Sequence, residues 1–570
     1  MKRVSDIFPA LVPYNSDPRR RDYIAPKRIV WTQGNVDGAE NLLVPKESQV
    51  TLVPGALCTL VNKDGVKSSI LLDYGREING SVRIIVDRKN MTQMNNKIRV
   101  RFGESAMEAM SEFGEKNTTN DHANRDMVMS VAQLSGNETN ESGFRFVRID
   151  LLEENSVLAI KAVEGVFIYR DIDYIGSFEC DDALVNEIYN TAAYTAHLNM
   201  QEYLWDGIKR DRLVWIGDMQ TEVMTIISVF GYNEVVPRSL DLVRDETPVG
   251  NWMNGISSYS IWWFFLHYDW YMSFGNLDYL REQQEYMTAL LDVLCTKVKE
   301  DGSEDLPGGR FIDWPNKANP QATHARLHAM LIMAMQKGQQ LMGILGDDEM
   351  VKKCAATEAK LRTYEPDPNG SKQAGSLLVY SGLSDASAMT EKLLRVNGAA
   401  GFSTFLGYYT LSAIAMSGDY KCALDCMREY WGGMLSVGAT TFWEDFNIDW
   451  IKNGAPITDL VPEGKDDVHG DFGGYCYVNF RHSLCHGWAS GPVPFLTRFI
   501  AGINVLEPGS KKISIRPNLG DLNYIRCTYP TPYGEVKLFA VKMKDGSVKV
   551  DIDAPAEVEI VTSADVKIIR

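Results

Sequence analysis

Between Trp205 and Asp218 the chain reads WDGIKRDRLVWIGD, which places Asp206, Asp211 and Asp218, the cations Lys209, Arg210 and Arg212, and the rings of Trp205 and Trp215 in one short window. Carboxyls can give or take a proton, neighbouring cations set how firmly they hold it, and flat rings stack on the apolar faces of sugars. Together these are the parts needed to break a glycosidic bond. The competing reading is a charged surface turn, but such turns seldom carry two tryptophans. Glu202 and Glu222 flank the window on predicted helix ends, and whether either serves as acid in place of Asp211 is left open.

Metal chemistry has weaker support. His482 and His486 stand four apart, a spacing that can share one helix face and bind zinc, but the Glu of an H-E-x-x-H motif is missing. The nine cysteines include no C-x-x-C, and an odd number cannot all pair within one chain. They read as buried thiols, with Cys422 and Cys426 one helical turn apart. No metal or cofactor is expected.

The elements that must position these residues change character along the chain. As far as about Asp173, alternating runs such as Ser69–Gly75, Lys97–Glu104 and Phe144–Leu152 are separated by polar, Asn-rich connections, the pattern of an antiparallel β domain. Helical periodicity then takes over, with Asp181 or Asp182 as a cap for a face of Leu184, Ile188, Ala192, Thr195 and Leu198. Further helices are predicted over Thr221–Phe230, Tyr259–Ser273, Leu277–Lys297, Ala322–Gly343, Ala386–Val396, Ser403–Met416, Tyr420–Tyr430 and Ser483–Ile500. So many consecutive helices without a strand argue for an all-α middle domain. After Gly502 the pattern is β again: Val548, Val550 and Ile552 alternate with charged residues behind an Asp545-Gly546 turn.

The window at Trp205 also resembles a family signature, D-C-P-x-R-E-R-x-G-W-x-G-D, of the bacterial α-L-rhamnosidases of glycoside hydrolase family 78. Asp206, Arg210, Trp215, Gly217 and Asp218 fit without a gap, while Gly207 and Ile208 replace the Cys-Pro pair and Val214 replaces the mid-motif Gly. Asp211, one methylene shorter, stands where the family has its general-acid Glu. Three later blocks resemble the family in order: Gly401–Phe446, ending in GATTFWEDF; RHSLCHGWASGPVPFLTRFIAGI; and KKISIRPNLGDLNYIRCTYPTPYGEV. The matched stretch runs from about Asp173 to about Val536.

That resemblance implies a central (α/α)6 barrel, residues 176–502, flanked by an N-terminal β-sandwich, residues 1–175, and a C-terminal antiparallel β domain, residues 503–570. It implies an inverting, metal-independent α-L-rhamnosidase with Asp211 as acid and Glu444 as base. Asp206, Arg210, Trp215, Asp218, Trp443 and His486 would bind the sugar; Asp313 would hold a hydroxyl and Trp314 would face the 6-deoxy methyl, in a GRFIDWP loop similar to the family's G-D-W loop. It makes sugar contact a better reading of His486 than zinc, leaves His482 structural, and gives the N-terminal domain no catalytic residue. Trp252, beside Asn251 and Asn254, could also face substrate, whereas Trp263 and Trp270 read as core. Two other functions fit the same residues: a hydrolase of this scaffold for another α-linked sugar, and a carbohydrate-binding protein in which the short Asp211 no longer serves as acid. A purely scaffolding role for the β domains is a third.

Composition sets outer bounds. With 570 residues, 45% of them hydrophobic and 10% aromatic, several domains with ample core are expected. A formal charge of −17 argues against nucleic acid as partner, because a phosphate backbone would be repelled. No run of about 18 apolar residues predicts a membrane span. The opening MKRVSDIFPALVPYN lacks an apolar core, so no secretory leader is read there. Oligomeric state is left open.

Overall fold

A computed structural model describes residues 17–46, 49–53, 55–314, 318–562 and 567–569. The leader reading of Met1–Asn15 lies outside the described residues.

The β-rich first part hydrogen-bonds as one ten-stranded sheet in which every pairing is antiparallel. The runs expected as strands are Ser69–Val86, Asn95–Gly103 and Ser142–Leu151. The first continues well beyond Gly75 because its two halves serve different neighbours. Ser69–Asp73 pairs with Arg28–Gln33, whereas Gly80–Val86 pairs with Ser156–Arg170. The ladder to Ser142–Leu151 shifts register between Asp73 and Ile78, and Gly75 takes a φ of +85° at that break. Ile70, Leu72, Ile84, Val100, Val147 and Leu158 fill one core, while Leu71 and Phe146 point the other way, under Trp31, the short helix Ala106–Met110 and Leu460.

Helices begin at Ala183–Asn199, where the Asp182 carboxylate accepts from the amides of Leu184 and Val185. Besides Ala106–Met110, three helices among the described residues escape the periodicity argument. Val235–Glu246 carries Pro237 in its first turn, where the missing N–H is tolerated. Asp348–Leu361 is half polar, and Lys372–Tyr380 contains Gly375. A Cβ at Gly375 would lie only 3.0 Å from the Met389 sulfur, so close packing explains that glycine. The stretch expected as Ala386–Val396 is an α turn continued by a π turn, Ala386–Met389 and Thr390–Leu394.

Met219–Val229 packs on Ser257–Phe274, which packs on Pro320–Leu345, then Lys372–Tyr380, then Gly407–Met416. Pro492–Phe495 touches both Gly407–Met416 and Met219–Val229, closing a circuit of six. The helix expected over Ser483–Ile500 is not continuous. Ser483 to His486 is outside any helix, and a 3-10 turn, Gly487–Ser490, precedes the short helix Pro492–Phe495 and a π turn, Leu496–Ile500. Pro492 and Pro494 weaken a helix here, and the amides of Ser483, Leu484, His486 and Gly487 donate instead to Glu444, Glu104, Phe442 and Asp206. His482 and His486 therefore share no helix face, which removes the geometric premise of the zinc motif.

The last β region forms a five-stranded and a three-stranded sheet. Its pairings are antiparallel except Val548–Asp553 with Lys567–Ile569 and Lys512–Ile515 with Glu559–Val561. The five-stranded sheet takes one strand, Ser177–Cys180, from just before the helices, paired with Tyr524–Thr531. Among the described residues no helix is long and apolar enough to cross a membrane.

Candidate active site

A cavity of about 410 Å³ opens beside the circuit of helices, and Asp206, Arg210, Asp211, Trp215, Asp218, Trp314, Glu444 and His486 line it together. The loop that carries the first five folds back on itself: the Asp206 amide donates to the Leu213 carbonyl, and the Leu213 amide donates to the Asp206 carboxylate at 3.0 Å. Asp211 and Arg212 both take left-handed backbone conformations, φ +56° and +54°. Two such residues in succession cost on the order of 1–3 kcal/mol each, strain that accumulates where side chains must be aimed.

Arg210 is the pivot. Its guanidinium donates to Glu444 through one nitrogen and to Asp211 Oδ1, at 2.9 Å, through another, while its Nε donates to the Arg481 carbonyl. One planar fork thus fixes two carboxylates that are 233 residues apart in sequence, 444 less 211. Glu444 is held further by the Ser483 amide at 3.2 Å, and its carbonyl accepts from Thr404 and Trp488. Asp211 Oδ2 accepts from the Trp215 indole at 2.9 Å.

Beside this pair lies a set suited to hydroxyl groups. Asp218 accepts from Tyr259 at 2.6 Å, and His486 Nε2 lies 3.7–3.8 Å from carboxylate oxygens of Asp206, Asp218 and Glu444. Burial raises the Asp206 and Asp218 carboxyls well above the ordinary range, with nearby negative charge adding to it. Burial also holds the His486 imidazole well below its usual value, so it is neutral. Its Nδ1 has no hydrogen-bond partner among the described residues. Ligand atoms of Asp206, Asp218 and His486 all lie within 4.8 Å of one another, a spacing a cation could use. A cation would have to release protons from carboxyls that burial raises, and its own charge would favour that release; with no cation bound, these carboxyls and the imidazole can donate to and accept from sugar hydroxyls.

Other expected residues are placed differently. Asp313 does not line the cavity; Arg326 and Ser403 each donate to its carboxylate at 2.7 Å. Its neighbour Trp314 does reach the wall, tilted against Phe311 with ring centroids 4.9 Å apart. Trp443 is buried behind Glu444, edge-on to Phe446 and His482, and Trp252 packs near Gly308. Neither lines the cavity. Trp263 and Trp270 are core, and all nine cysteines are free thiols. Glu222 sits behind Gly487, where a Cβ would come within 1.2 Å of its carboxylate, and is off the wall.

Several wall residues lie outside the sequence reading. His122, in the Asn-rich connection of the first β region, places Nδ1 2.9 Å from Asp211 Oδ1. That region therefore lends a residue to the cavity wall. Tyr259, Phe311, Tyr477 and Arg481 also line it. One signal for Tyr259 was available: a Cβ at Gly217 would come within 2.3 Å of its ring, so that glycine marks a close approach.

Behind the wall, burial pushes Asp445 up to about 7, with the charges of Asp313 and Glu444 adding to it. A carboxyl raised from 3.8 in the unfolded chain favours folding fully below that value and loses its contribution as pH rises to about 7. Asp445→Asn is therefore expected to gain stability relative to wild type between pH 4 and 7.5, read as the difference in urea midpoints. A difference that stays constant with pH would show that this carboxyl is not desolvated.

Residues 173–365 match the bacterial α-L-rhamnosidase six-hairpin glycosidase domain, and residues 502–564 match the bacterial α-L-rhamnosidase C-terminal domain. The fold is similar to that of a family 78 rhamnosidase from Bacillus sp. GL1, with a TM-score of 0.74, 19% identity, and coverage of 93% of this chain and 57% of that one. It is similar to a Klebsiella oxytoca rhamnosidase solved with rhamnose bound, with a TM-score of 0.67, 18% identity, and coverage of 84% and 96%. A Streptomyces avermitilis α-L-rhamnosidase complexed with L-rhamnose gives a TM-score of 0.69 at 16% identity, with coverage of 87% and 48%. Against the Bacillus and Streptomyces enzymes the match spans about half of their length. No curated protein matches.

Proposed function

We propose, for a chain that belongs to the bacterial α-L-rhamnosidases through its six-hairpin glycosidase and C-terminal domains, that it removes terminal α-L-rhamnose from oligosaccharides, polysaccharides or glycosides with inversion. Residues 1–175, 176–502 and 503–570 are read as its three domains, and the circuit of six helical segments as the inner layer of an (α/α)6 barrel.

The observation that carries this reading is the guanidinium of Arg210 standing between Asp211 and Glu444 on the wall of one cavity. Asp211 gives its proton to the glycosidic oxygen as the bond to the anomeric carbon breaks. Glu444 takes a proton from water as that water's oxygen joins the opposite face of the same carbon. Inversion needs the two carboxyls about 6.5–9.5 Å apart, with room for the water. The arginine bridge holds the two carboxyls apart without choosing between this spacing and the roughly 5–5.5 Å of a retaining pair, and the anomer released decides between them. Asp206, Asp218 and His486 hold hydroxyls, and the Trp314 and Phe311 rings offer an apolar surface to the 6-deoxy methyl. The proton transfers call on no metal or cofactor.

A second reading has one observation in its favour. Both Asp211 oxygens already accept hydrogen bonds, as they would in a binding protein that no longer turns over. Wild-type protein incubated with 4-nitrophenyl α-L-rhamnoside, with the first-released anomer followed by NMR, separates the cases. Release of β-L-rhamnose is expected. Release of the α anomer would end the inverting assignment, activity only on another aryl glycoside would change the sugar, and inertness on all would favour the binding protein.

A further inference from the structure

A second, open cavity of about 550 Å³ adjoins the first, and both are lined by Asp211 and His122. Its other walls are Arg19 and Glu141 from the first β region and Glu202, Trp205, Arg212 and Leu213 from the helical part. The two volumes meet at the residue read as the acid. In the proposed reaction the acid stands beside the glycosidic oxygen, with the rhamnose on one side of it and the departing group on the other. The inner cavity holds Glu444, Asp206, Asp218 and His486, so the rhamnose belongs there and the departing group belongs in the outer one.

We infer that this outer cavity is the leaving-group subsite and that it is built for a neutral, hydroxyl-rich saccharide; the inference rests on the assignment of Asp211 as acid. The class follows from the walls. Arg19 lies 3.2 Å from Glu202 and 3.6 Å from Glu141, and Arg212 lies 3.2 Å from Glu141. Arg19 and Arg212 face Glu141 and Glu202, and Arg19 is paired also with Asp17 at 2.8 Å, so both guanidiniums are paired and the walls give hydroxyls both donors and acceptors. An acidic sugar would find each arginine already paired. A flat aromatic aglycone would find one indole, Trp205, with the Arg212 guanidinium 4.6 Å above its ring. The volume lies in the range of about 300–1,000 Å³ of cavities that bury a drug-sized ligand, which is room for a saccharide. His122, with 41% of its side chain exposed, stands between the two spaces.

The test is a ratio: kcat/KM on a neutral trisaccharide ending in α-L-rhamnose, divided by kcat/KM on 4-nitrophenyl α-L-rhamnoside. Arg19→Ala and Glu141→Ala are expected to lower it about tenfold, the worth of one lost charged hydrogen bond, with Glu141→Gln keeping the shape and falling between. Circular dichroism of each variant checks its fold. If wild type cleaves both substrates and the ratio does not move in any variant, the outer cavity is not the subsite, while the inner assignments stand. If a trisaccharide with a uronic acid next to the rhamnose is preferred tenfold over the neutral one, the neutral class is overturned. If wild type cleaves no rhamnoside, the inner site has been misread and this inference falls with it.

Discussion

Glu444→Gln is expected to lower kcat on a rhamnoside by about 10²–10⁴-fold, the usual contribution of a positioned general base, with little change in KM. Glu444 accepts from Arg210 through Oε1 and from the Ser483 amide through Oε2, so Gln keeps one of these acceptors and sets its NH2 against the other donor as the basic oxygen is lost; circular dichroism of the variant checks its fold. Azide, a nucleophile that needs no base, should restore turnover and give the inverted β-glycosyl azide. Asp211→Asn should fall by a similar factor on a saccharide, whose leaving oxygen needs a proton, and by much less on a 2,4-dinitrophenyl glycoside, whose leaving oxygen does not. Equal losses on both substrates would mean that Asp211 orients Arg210 and Trp215 rather than donating a proton. An unchanged kcat for Glu444→Gln would remove it from the mechanism.

What could be read from sequence, and what could not, divides by distance along the chain. Asp206, Arg210, Asp211, Trp215 and Asp218 fall in one short loop, so their convergence on one cavity was legible as a local density of charge and rings. Order and type of the β and helical regions followed from periodicity, because an alternating strand such as Asn95–Gly103 carries its own signature. Long-range partners leave none. His122 reaches Asp211 across 89 residues from a connection that reads as an ordinary polar loop, 211 less 122. Asp313 is expected as a hydroxyl ligand from the resemblance of its loop, and nothing local in the sequence shows that Arg326 and Ser403 donate to its carboxylate. The run Ser483–Ile500 has helical composition, but the acceptors that draw out its first amides belong to Glu104, Asp206, Phe442 and Glu444. A strand as short as Ser177–Cys180 gains its identity only from Tyr524–Thr531.

Lys209 shows how one such partnership ties the first β region to the chemistry, and Lys209→Met is expected to cost about 3–5 kcal/mol of stability. From its place in the motif it read as a cation tuning the aspartates, yet it does not line the catalytic cavity. With 6% of its surface exposed, its ammonium lies 3.0 Å from Glu104 and 3.3 Å from Glu108, and it donates to the carbonyls of Phe480 and His482. Glu104 in turn accepts from the Leu484 amide at 2.6 Å, two residues past the backbone that Lys209 grips and next to Ser483, which holds Glu444. Burial pushes Glu104 up to about 7, with the charge of Glu108 adding to it, and Lys209 offsets that rise. Removing the ammonium leaves two buried carboxyls facing each other, so Glu104 will hold its proton to still higher pH. A carboxyl whose folded value rises further above its unfolded value loses more stability as pH increases, so the penalty should be smaller at pH 5 than at pH 8. Urea unfolding at both pH values measures it, and adding Glu104→Gln to Lys209→Met should recover part of the loss at pH 8. A penalty below about 1 kcal/mol at both pH values, typical of an exposed pair, would show that the network is not desolvated. Because the same lysine clamps the segment that orients Glu444, kcat should fall along with stability, while loss of stability alone would assign Lys209 to folding rather than to the site.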